Sequence, residues 1–434
     1  MSQFFRFLQR VLVEPTIIIG ALVAIGYMFD KKSSVKVITG AISAMVGLEM
    51  LLFGGTQFIN TFRPIVTAVS EVHGIQGFLM DPYSMRASTQ VALGEHIGFV
   101  GYVFVLAFFI NLGLVFLGKY TKAKGIFLTG NTGVAHSQAI LWLVAFWFKM
   151  PWLPTIIVSA VLLAIYWAIG TTLAIKPVAK ITNNGGFTIG HNQTFGIWFF
   201  SKFAHKFGKP EDDAENLKLP GILSIFNHNV TAVAVIMTIF TGGFLLSIGI
   251  DNMQKMAGNQ HWALYVFNIG IRFSMFMVIL LTGVRMMVGE ISASFKGIQE
   301  KLIPGAVPAI DVAALLPFSP NAATLGFIFC TLGTIFSMAI LLISGSPILV
   351  LPGFVPLFFA GGPIGVVGNK FGGYKAAMIC PFILGMIQSF GSIWAIKLSG
   401  IPDGMGWTGM FDFATIWPAV TQIMAWIAKL LGIH

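Results

Sequence analysis

The chain has 434 residues, of which 56% are hydrophobic and 10% charged, and its formal net charge is +10. A soluble domain carries about 25% charged residues, so this composition excludes an ordinary soluble protein and indicates one polytopic membrane domain. The basic residues are spread over loops rather than clustered. This distribution indicates the orientation in the membrane and not a nucleic-acid-binding surface. The two cysteines, Cys330 and Cys380, lie in apolar runs without metal-ligand or redox spacing.

Apolar runs of near-spanning length recur along the chain and predict an all-α integral membrane protein with about 11 transmembrane helices. The predicted spans lie at about residues 11–29, 37–59, 97–117, 126–148, 155–175, 230–250, 263–288, 321–343, 347–367, 376–396 and 411–431. Counting helices puts five lysine-bearing loops on one side, which is therefore predicted to be cytoplasmic. The first run has no cleavage pattern of a signal peptide and is interpreted as a retained helix.

Two stretches of the first half resemble stretches of the second, at a period of about 225 residues. LLFGGTQF at 51–58 resembles ILLTGVRM at 279–286, and IFLTGN at 126–131 resembles LVLPGF at 349–354. A repeat of five spans reverses its second copy in the bilayer, which predicts an inverted repeat of 5+5 helices plus one. The predicted boundaries are repeat 1 at about 11–175, a cytoplasmic amphipathic linker at about 176–229, repeat 2 at about 230–396 and an extra helix at about 411–431.

Segments interrupted by glycine and proline at equivalent positions of such repeats line the substrate site near the midplane. Here they are residues 74–83, 129–136 and 304–320, with 186–195 beside them. The last of these reads GFTIGHNQTF, and its His191 is predicted to donate or accept a hydrogen bond with a hydroxylated ligand; the alternative is a histidine bonded to a backbone carbonyl. Asp311, between apolar residues, is predicted to contact the ligand, or else to be neutral or paired.

Other polar residues leave structural and functional interpretations open. Asp81 either caps a short helix or belongs to the site. Asn131 and His136 bracket the start of a span, where free N–H groups and the positive end of the helix dipole would suit an anion. The remaining charges of the first half are interpreted as structural pairs or interface charges: Arg63, Arg86, Glu71 and Glu95. No HExxH, GxxxxGK, DDxxD or GxSxG motif is present, so enzyme chemistry by this chain alone has little support and no cofactor or metal is expected.

Four long motifs carry a family resemblance: GFTIGHNQTF, ENLKLPGILSIFNHN at 215–229, IDNMQKMAGNQHW at 250–262 and KLIPGAVPAID at 301–311. With them the chain resembles the ascorbate-type permease, the EIIC component of the bacterial phosphoenolpyruvate-dependent phosphotransferase system. The resemblance implies a homodimer in the bacterial inner membrane, in which a core domain carries L-ascorbate past a V-motif scaffold domain by an elevator mechanism. It also implies a cytoplasmic EIIB, which phosphorylates the sugar from its phosphocysteine, and an EIIA that feeds it.

The resemblance also implies substrate contacts, carried over residue by residue. They fall on Pro82, Tyr83, Asn131, Thr132, Gly133, Val134, Ala135, His191, Asn192 and Asp311. The chain departs from the family pattern where histidine is expected at Asn131 and glutamine at Ala135 and Asn192. His136, Gln138 and Gln193 are nearby secondary candidates. The departures leave open another sugar, sugar acid or sugar alcohol as substrate, and, as a different class, an ion-coupled secondary transporter in which Asp311 titrates.

Overall fold

The computed structural model describes residues 15–72, 74, 78–217, 229–301, 303–353, 355–401 and 406–433, with some side chains within these ranges left out. Most of these residues are helical, and the α-helices are α1 Pro15–Phe29, α2 Ser34–Val72, α3 Pro82–Leu93, α4 Phe99–Phe116, α5 Gly118–Thr121, α6 Gly130–Phe148, α7 Trp152–Thr182, α8 Thr194–Phe203, α9 Asn229–Leu246, α10 Ile250–Ala257, α11 Trp262–Lys301, α12 Pro320–Ile343, α13 Gly361–Ser399, α14 Met410–Ala414 and α15 Ile416–Leu430.

Among the described residues, six helical stretches are long and apolar enough to cross a membrane. They are Ser34–Gln57, Ser84–Phe116, Trp152–Thr182, Trp262–Phe295, Pro320–Ile343 and Pro356–Ser399. Two shorter apolar helical stretches accompany them, Thr16–Phe29 and Thr132–Phe148. The architecture is therefore that of an all-α membrane protein.

Two of the predicted spans do not begin as helices. The run at 347–367 starts with a strand, Val350–Pro352, continues as a π-helix, Pro356–Ala360, and then enters α13. Its prolines lack the N–H that a regular helix uses, which disfavours a continuous helix over the first part of this run. The run at 126–148 likewise opens with a strand, Gly125–Phe127, and becomes helical only from Gly130.

The interrupted segments are joined by two small parallel sheets that the apolar pattern did not predict. In the first sheet, β1 (Phe78–Met80) lies between β5 (Val350–Pro352) and β6 (Gly406–Trp407). In the second, β4 (Val307–Ile310) lies between β2 (Gly125–Phe127) and β3 (Thr188–Ile189). Each sheet combines strands from both halves of the chain. The pairing satisfies backbone groups that an extended segment would otherwise expose to lipid.

The sheets determine where the polar residues lie. Asp81 directly follows β1 and Asp311 directly follows β4, the central strands of the two sheets. His191 comes two residues after β3, and Thr129 comes two residues after β2. Because the strands of each sheet are parallel, their carboxyl ends meet at one edge. Residues far apart in the sequence are thereby brought to the same edge.

The long helices α2 and α11 cross where two glycines face each other. A Cβ atom added to Gly283 would lie 2.5 Å from the Gly47 carbonyl oxygen, and one added to Gly47 would lie 2.6 Å from the Gly283 carbonyl oxygen. Near one end of this helix pair, Lys36 Nζ lies 3.0 Å from each carboxylate oxygen of Glu290, which also accepts a hydrogen bond from Tyr27. Small residues allow this close approach of helix backbones in a membrane.

We expect the Gly283→Ala substitution to destabilise the crossing, because its methyl group has no space beside the Gly47 carbonyl. Overpacking of this kind costs about 1–3 kcal/mol, which should lower the melting temperature of the purified protein in detergent. Gly101→Ala in α4 is the matched control, because nothing lies within 4 Å of its added Cβ. Equal melting temperatures for the two variants would contradict the proposed tight crossing.

Candidate functional site

One cavity collects side chains from both sheet edges and from α2. Including its open mouth, it contains about 690 Å³ of empty space and is lined by Leu51, Leu52, Gly55, Pro82, Arg86, Thr132, Ala135, His191, Asn192, Asp311, Val355 and Phe359. Its polar groups are an arginine, a carboxylate, an imidazole, an amide and a hydroxyl, while α2 and the segment after β5 supply apolar walls. A few convergent polar groups in an otherwise apolar cleft are typical of a site for a small ligand.

Most of the residues proposed from the sequence for which the structure describes a side chain line this cavity. They are Pro82, Thr132, Ala135, His191, Asn192 and Asp311. Gly133 and Val134 do not line it; a Cβ on Gly133 would lie 2.6 Å from the Phe104 ring, so this glycine serves helix packing. The side chains of Tyr83 and Asn131 lie outside the described part of the chain. Which of these residues contact substrate stays a prediction.

Asp311 lies at the end of β4, in the connection between α11 and α12. Its Oδ1 accepts a hydrogen bond of 2.9 Å from the Ala313 backbone N–H, which begins the 3-10 helix Val312–Phe318. Burial raises the pKa of this carboxyl to about 6, because desolvation disfavours the charged form, although the Ala313 hydrogen bond acts in the opposite direction. The carboxylate is therefore mainly ionised at neutral pH and takes up a proton in mild acid.

His191 follows β3 and is held through its backbone. Its N–H donates to Thr194 Oγ1 at 3.2 Å, and the Thr194 hydroxyl donates to the His191 carbonyl at 2.5 Å. The imidazole Nδ1 is buried and has no hydrogen-bond partner among the residues that the structure describes. Burial lowers the pKa of His191 to about 3, so the ring is neutral at physiological pH. A buried nitrogen of this kind is satisfied by a ligand or a water molecule.

Asn192 is oriented by a buried network. Trp167 Nε1 donates to His136 Nδ1 at 3.0 Å, and because an indole nitrogen can only donate, the His136 proton must lie on Nε2. His136 Nε2 then donates to Asn192 Oδ1, and Asn192 Nδ2 donates to Thr408 Oγ1 at 3.1 Å. The network fixes which way the amide points. His136 does not line the cavity but contacts Asn192, which does.

The other two secondary candidates hold backbone rather than line the cavity. Gln138 Nε2 donates to the Arg86 carbonyl oxygen at 2.6 Å, which ties α6 to α3. Gln193 Oε1 accepts from the Phe411 N–H at 2.8 Å, at the start of α14. Both side chains are buried.

Asp412 is a structural carboxylate that the sequence analysis missed. It accepts hydrogen bonds from the Tyr166 hydroxyl at 2.7 Å and from the backbone N–H groups of Thr194 at 3.0 Å and Phe195 at 3.1 Å, so it caps α8. Its own N–H donates to the Asn192 carbonyl at 3.0 Å. Asp412 lies inside the apolar run assigned as the eleventh span, and nothing in its local pattern indicates a partner more than 200 residues away in the sequence.

Two residues that follow β1 are Asp81, whose role the sequence left undecided, and Arg86 of α3. Asp81 is buried beside Gly353, and its Oδ1 accepts from the Ser84 N–H at 3.4 Å, so it lies at the start of α3 as a cap. Arg86, interpreted from the sequence as a structural or interface charge, is one of the residues that line the cavity. Pro82 and Arg86 are four residues apart in α3, a spacing that puts both on one helix face and could have indicated this position.

The comparison with protein families agrees with this architecture. Residues 10–419 match the model of the EIIC-GAT family, the sugar-specific permease component of the PTS system, and the chain belongs to that family. It is therefore a transport component and a multi-pass protein of the inner membrane.

The chain is also similar to a particular protein of this kind. It is 28% identical over 427 residues to the ascorbate-specific PTS system EIIC component of Mycoplasma pneumoniae, strain ATCC 29342 / M129 / Subtype 1. The match covers 88% of this chain and 65% of the relative's length.

We expect loss of the His136 proton donor to weaken substrate binding through Asn192. His136→Leu leaves the side-chain oxygen of Asn192, Oδ1, without its donor. The affinity for substrate should fall about tenfold, the order of one lost hydrogen bond at a buried polar group. His136→Gln, which keeps an N–H donor, should restore part of the affinity. Binding is measured by calorimetry on the purified protein.

The control for this prediction is His205→Gln, a substitution of an exposed histidine that does not belong to the network. It should bind substrate as the wild type does. Unchanged affinity in His136→Leu, or equal losses in the leucine and glutamine variants, would show that His136 does not position Asn192.

Proposed function

We propose that this chain is the membrane subunit of a phosphotransferase transporter that imports L-ascorbate, which a cytoplasmic EIIB phosphorylates. The observation that carries the proposal is the cavity in which Asp311, His191 and Asn192 meet Arg86 between the two halves of the chain. Ascorbate is a compact, polyhydroxylated ring that is an anion at neutral pH. The ascorbate-specific relative supports the same substrate.

The chemistry of the cavity suits such a ligand. Asp311 accepts hydrogen bonds from ligand hydroxyls, and the neutral His191 can donate from one ring nitrogen and accept at the other. Asn192 is held by His136 and Thr408, so its amide is already oriented when the ligand enters. Leu51, Leu52 and Phe359 provide apolar surface for the face of the ring. A pre-oriented polar set lowers the entropy cost of binding.

The strand pairing supports an inverted repeat of five plus five helices with one added. A shift of about 225 residues turns β1 into β4, β2 into β5 and β3 into β6. The same exchange converts one sheet, in the order β5-β1-β6, into the other, in the order β2-β4-β3. Such an exchange of sheets is what a two-fold relation between the halves requires. We assign the two sheets to a core domain and the α2–α11 pair to a V-motif scaffold.

This division gives the transport model a physical basis. The cavity lies where the sheet edges face α2, so movement of the core along the scaffold carries the ligand across the membrane in an elevator-type mechanism. The scaffold supplies the homodimer contact in this proposal. EIIB, recharged by EIIA, phosphorylates the sugar at the cytoplasmic side, and the added charge traps the product. The chain itself takes no phosphoryl group.

Reconstitution tests the proposal directly. Proteoliposomes that contain this chain should accumulate ascorbate phosphate only when EIIB, EIIA and phosphoenolpyruvate with the general phosphotransfer proteins are present on the cytoplasmic side. Uptake that persists without EIIB and collapses with an uncoupler would instead establish a secondary transporter. Failure with ascorbate but phosphorylation of another sugar, sugar acid or sugar alcohol would retain the transport class and replace the substrate.

Ascorbate affinity should rise as the pH falls. Burial holds the pKa of Asp311 at about 6, so this carboxylate is charged at neutral pH and is neutralised below that value. Neutralisation removes its repulsion of the anionic ligand, which keeps its own charge over this range. Calorimetry between about pH 7.5 and about pH 5.5 should show a gain of up to about tenfold, equivalent to about 1.4 kcal/mol.

The Asp311→Asn variant is the control for this pH dependence, because its side chain does not titrate. It should bind ascorbate more weakly than the acidified wild type and with little pH dependence. His191 stays neutral over the whole range because its pKa is about 3, so it does not contribute to the slope. An unchanged slope in Asp311→Asn would assign the effect to another group and remove Asp311 from contact with the ligand.

A further inference from the structure

We propose that Arg86 is the anion-binding residue of the cavity and makes this site select a sugar acid over its neutral counterpart. The inference rests on the proposed function and deepens it, because it assigns the charge preference of the site to one side chain. Arg86 belongs to none of the motifs through which the chain resembles its family. The inference adds a ligand-binding role to an arginine that the sequence analysis interpreted as a structural or interface charge.

The position of Arg86 is fixed through its backbone. Its carbonyl oxygen accepts hydrogen bonds from Gln138 Nε2 at 2.6 Å and from Thr89 Oγ1 at 3.3 Å. Gln138 belongs to α6, the helix that also carries Thr132 and Ala135 on the cavity wall. The buried Gln138 thus attaches this turn of α3 to α6, while the Thr89 bond lies within α3. A guanidinium on an anchored backbone samples fewer positions, which favours specific binding.

The charge balance of the cavity gives Arg86 its role. Among the described residues that line the cavity, Arg86 is the cation and Asp311 the carboxylate, whereas His191 is neutral. An anionic ligand is repelled by Asp311 and attracted by Arg86, so its acidic end must lie towards the arginine and its hydroxyl-bearing end towards the carboxylate. The pair therefore orients the ligand. A neutral polyol gains nothing from the arginine and binds without this orientation.

The chemistry of arginine matches the ligand class. A guanidinium presents two parallel N–H groups that fit two adjacent oxygens, such as those of a carboxylate or a deprotonated enediol. A lysine would supply charge without the fork. Arginine in the interior of a membrane protein is costly and is kept where it faces a polar partner or an aqueous cavity. A bound anion offsets part of this cost.

The test compares matched ligand pairs on purified full-length protein in lipid nanodiscs by calorimetry. One pair is ascorbate and the neutral methyl ether of its acidic enol, and the other is gluconate and glucitol. Wild-type protein should prefer the acid of at least one pair. In Arg86→Gln the affinity for that acid should fall by at least about tenfold, the scale of a lost charge-assisted hydrogen bond, while the neutral partner changes by less than about threefold.

Two further variants sharpen the result. Arg86→Lys should keep part of the preference for the acid, because the charge remains and the fork is lost. Arg272→Gln removes the same charge from an exposed position of α11 and should bind as the wild type does. Retained binding of the neutral ligand by Arg86→Gln shows that the variant is folded.

The outcomes test the role of Arg86 separately from ascorbate as the substrate. Equal losses for acid and neutral ligand in Arg86→Gln, or a wild type that prefers the neutral member of both pairs, overturn the role of Arg86. Arginine-dependent preference for gluconate without ascorbate binding supports Arg86 and overturns ascorbate as the substrate. Arginine-dependent preference for ascorbate supports both. If Arg86→Gln does not fold, Arg86→Lys decides instead. A weaker preference for the acid than in the wild type supports the role of Arg86, and an unchanged preference overturns it.

Discussion

This structure depends on one constraint: backbone hydrogen-bonding groups inside the membrane must be paired within the protein. A chain that interrupts its spanning helices with extended segments must pair every N–H and C=O of those segments inside the protein, because lipid offers no partner. Each of the two three-stranded sheets meets this requirement by pairing strands from both halves of the chain. Each interrupted segment therefore depends on another that lies far away in the sequence. The halves cannot form their sheets separately.

The same pairing builds the cavity. Parallel strands end at a common edge, and the residues that follow them, Asp311 after β4 and His191 after β3, are turned towards one space. Buried side chains behind the cavity wall form hydrogen bonds with the segments that line the cavity and hold them in position. His136 orients Asn192, and Asp412 caps the helix that begins just after His191. The Asp412 contact joins groups more than 200 residues apart in the sequence, so the shape of the cavity depends on how these distant segments meet.

The residues that line the cavity include both a positively and a negatively charged side chain. Asp311 and Arg86 oppose each other among its lining residues, and a neutral His191 and an oriented amide lie with them. In the proposed site, a ligand with an acidic end and a hydroxyl-bearing end contacts both charged side chains in one orientation, with its acidic end at Arg86. The arrangement fits the membership of the chain in a family of sugar-specific permeases and its similarity to an ascorbate-specific member.

The sequence by itself determined the membrane class, the position of most helices and a set of candidate site residues. Of these, the following line the cavity: Pro82, Thr132, Ala135, His191, Asn192 and Asp311. Composition and apolar length fix these features locally, and the long motifs identify the family. The tertiary structure alone decided that the run at 347–367 opens as a strand, that His136 lies behind the wall, that Asp412 caps a distant helix and that Arg86 faces the cavity. Each of these depends on a partner from another part of the chain, and local patterns carry no information about which distant groups will meet.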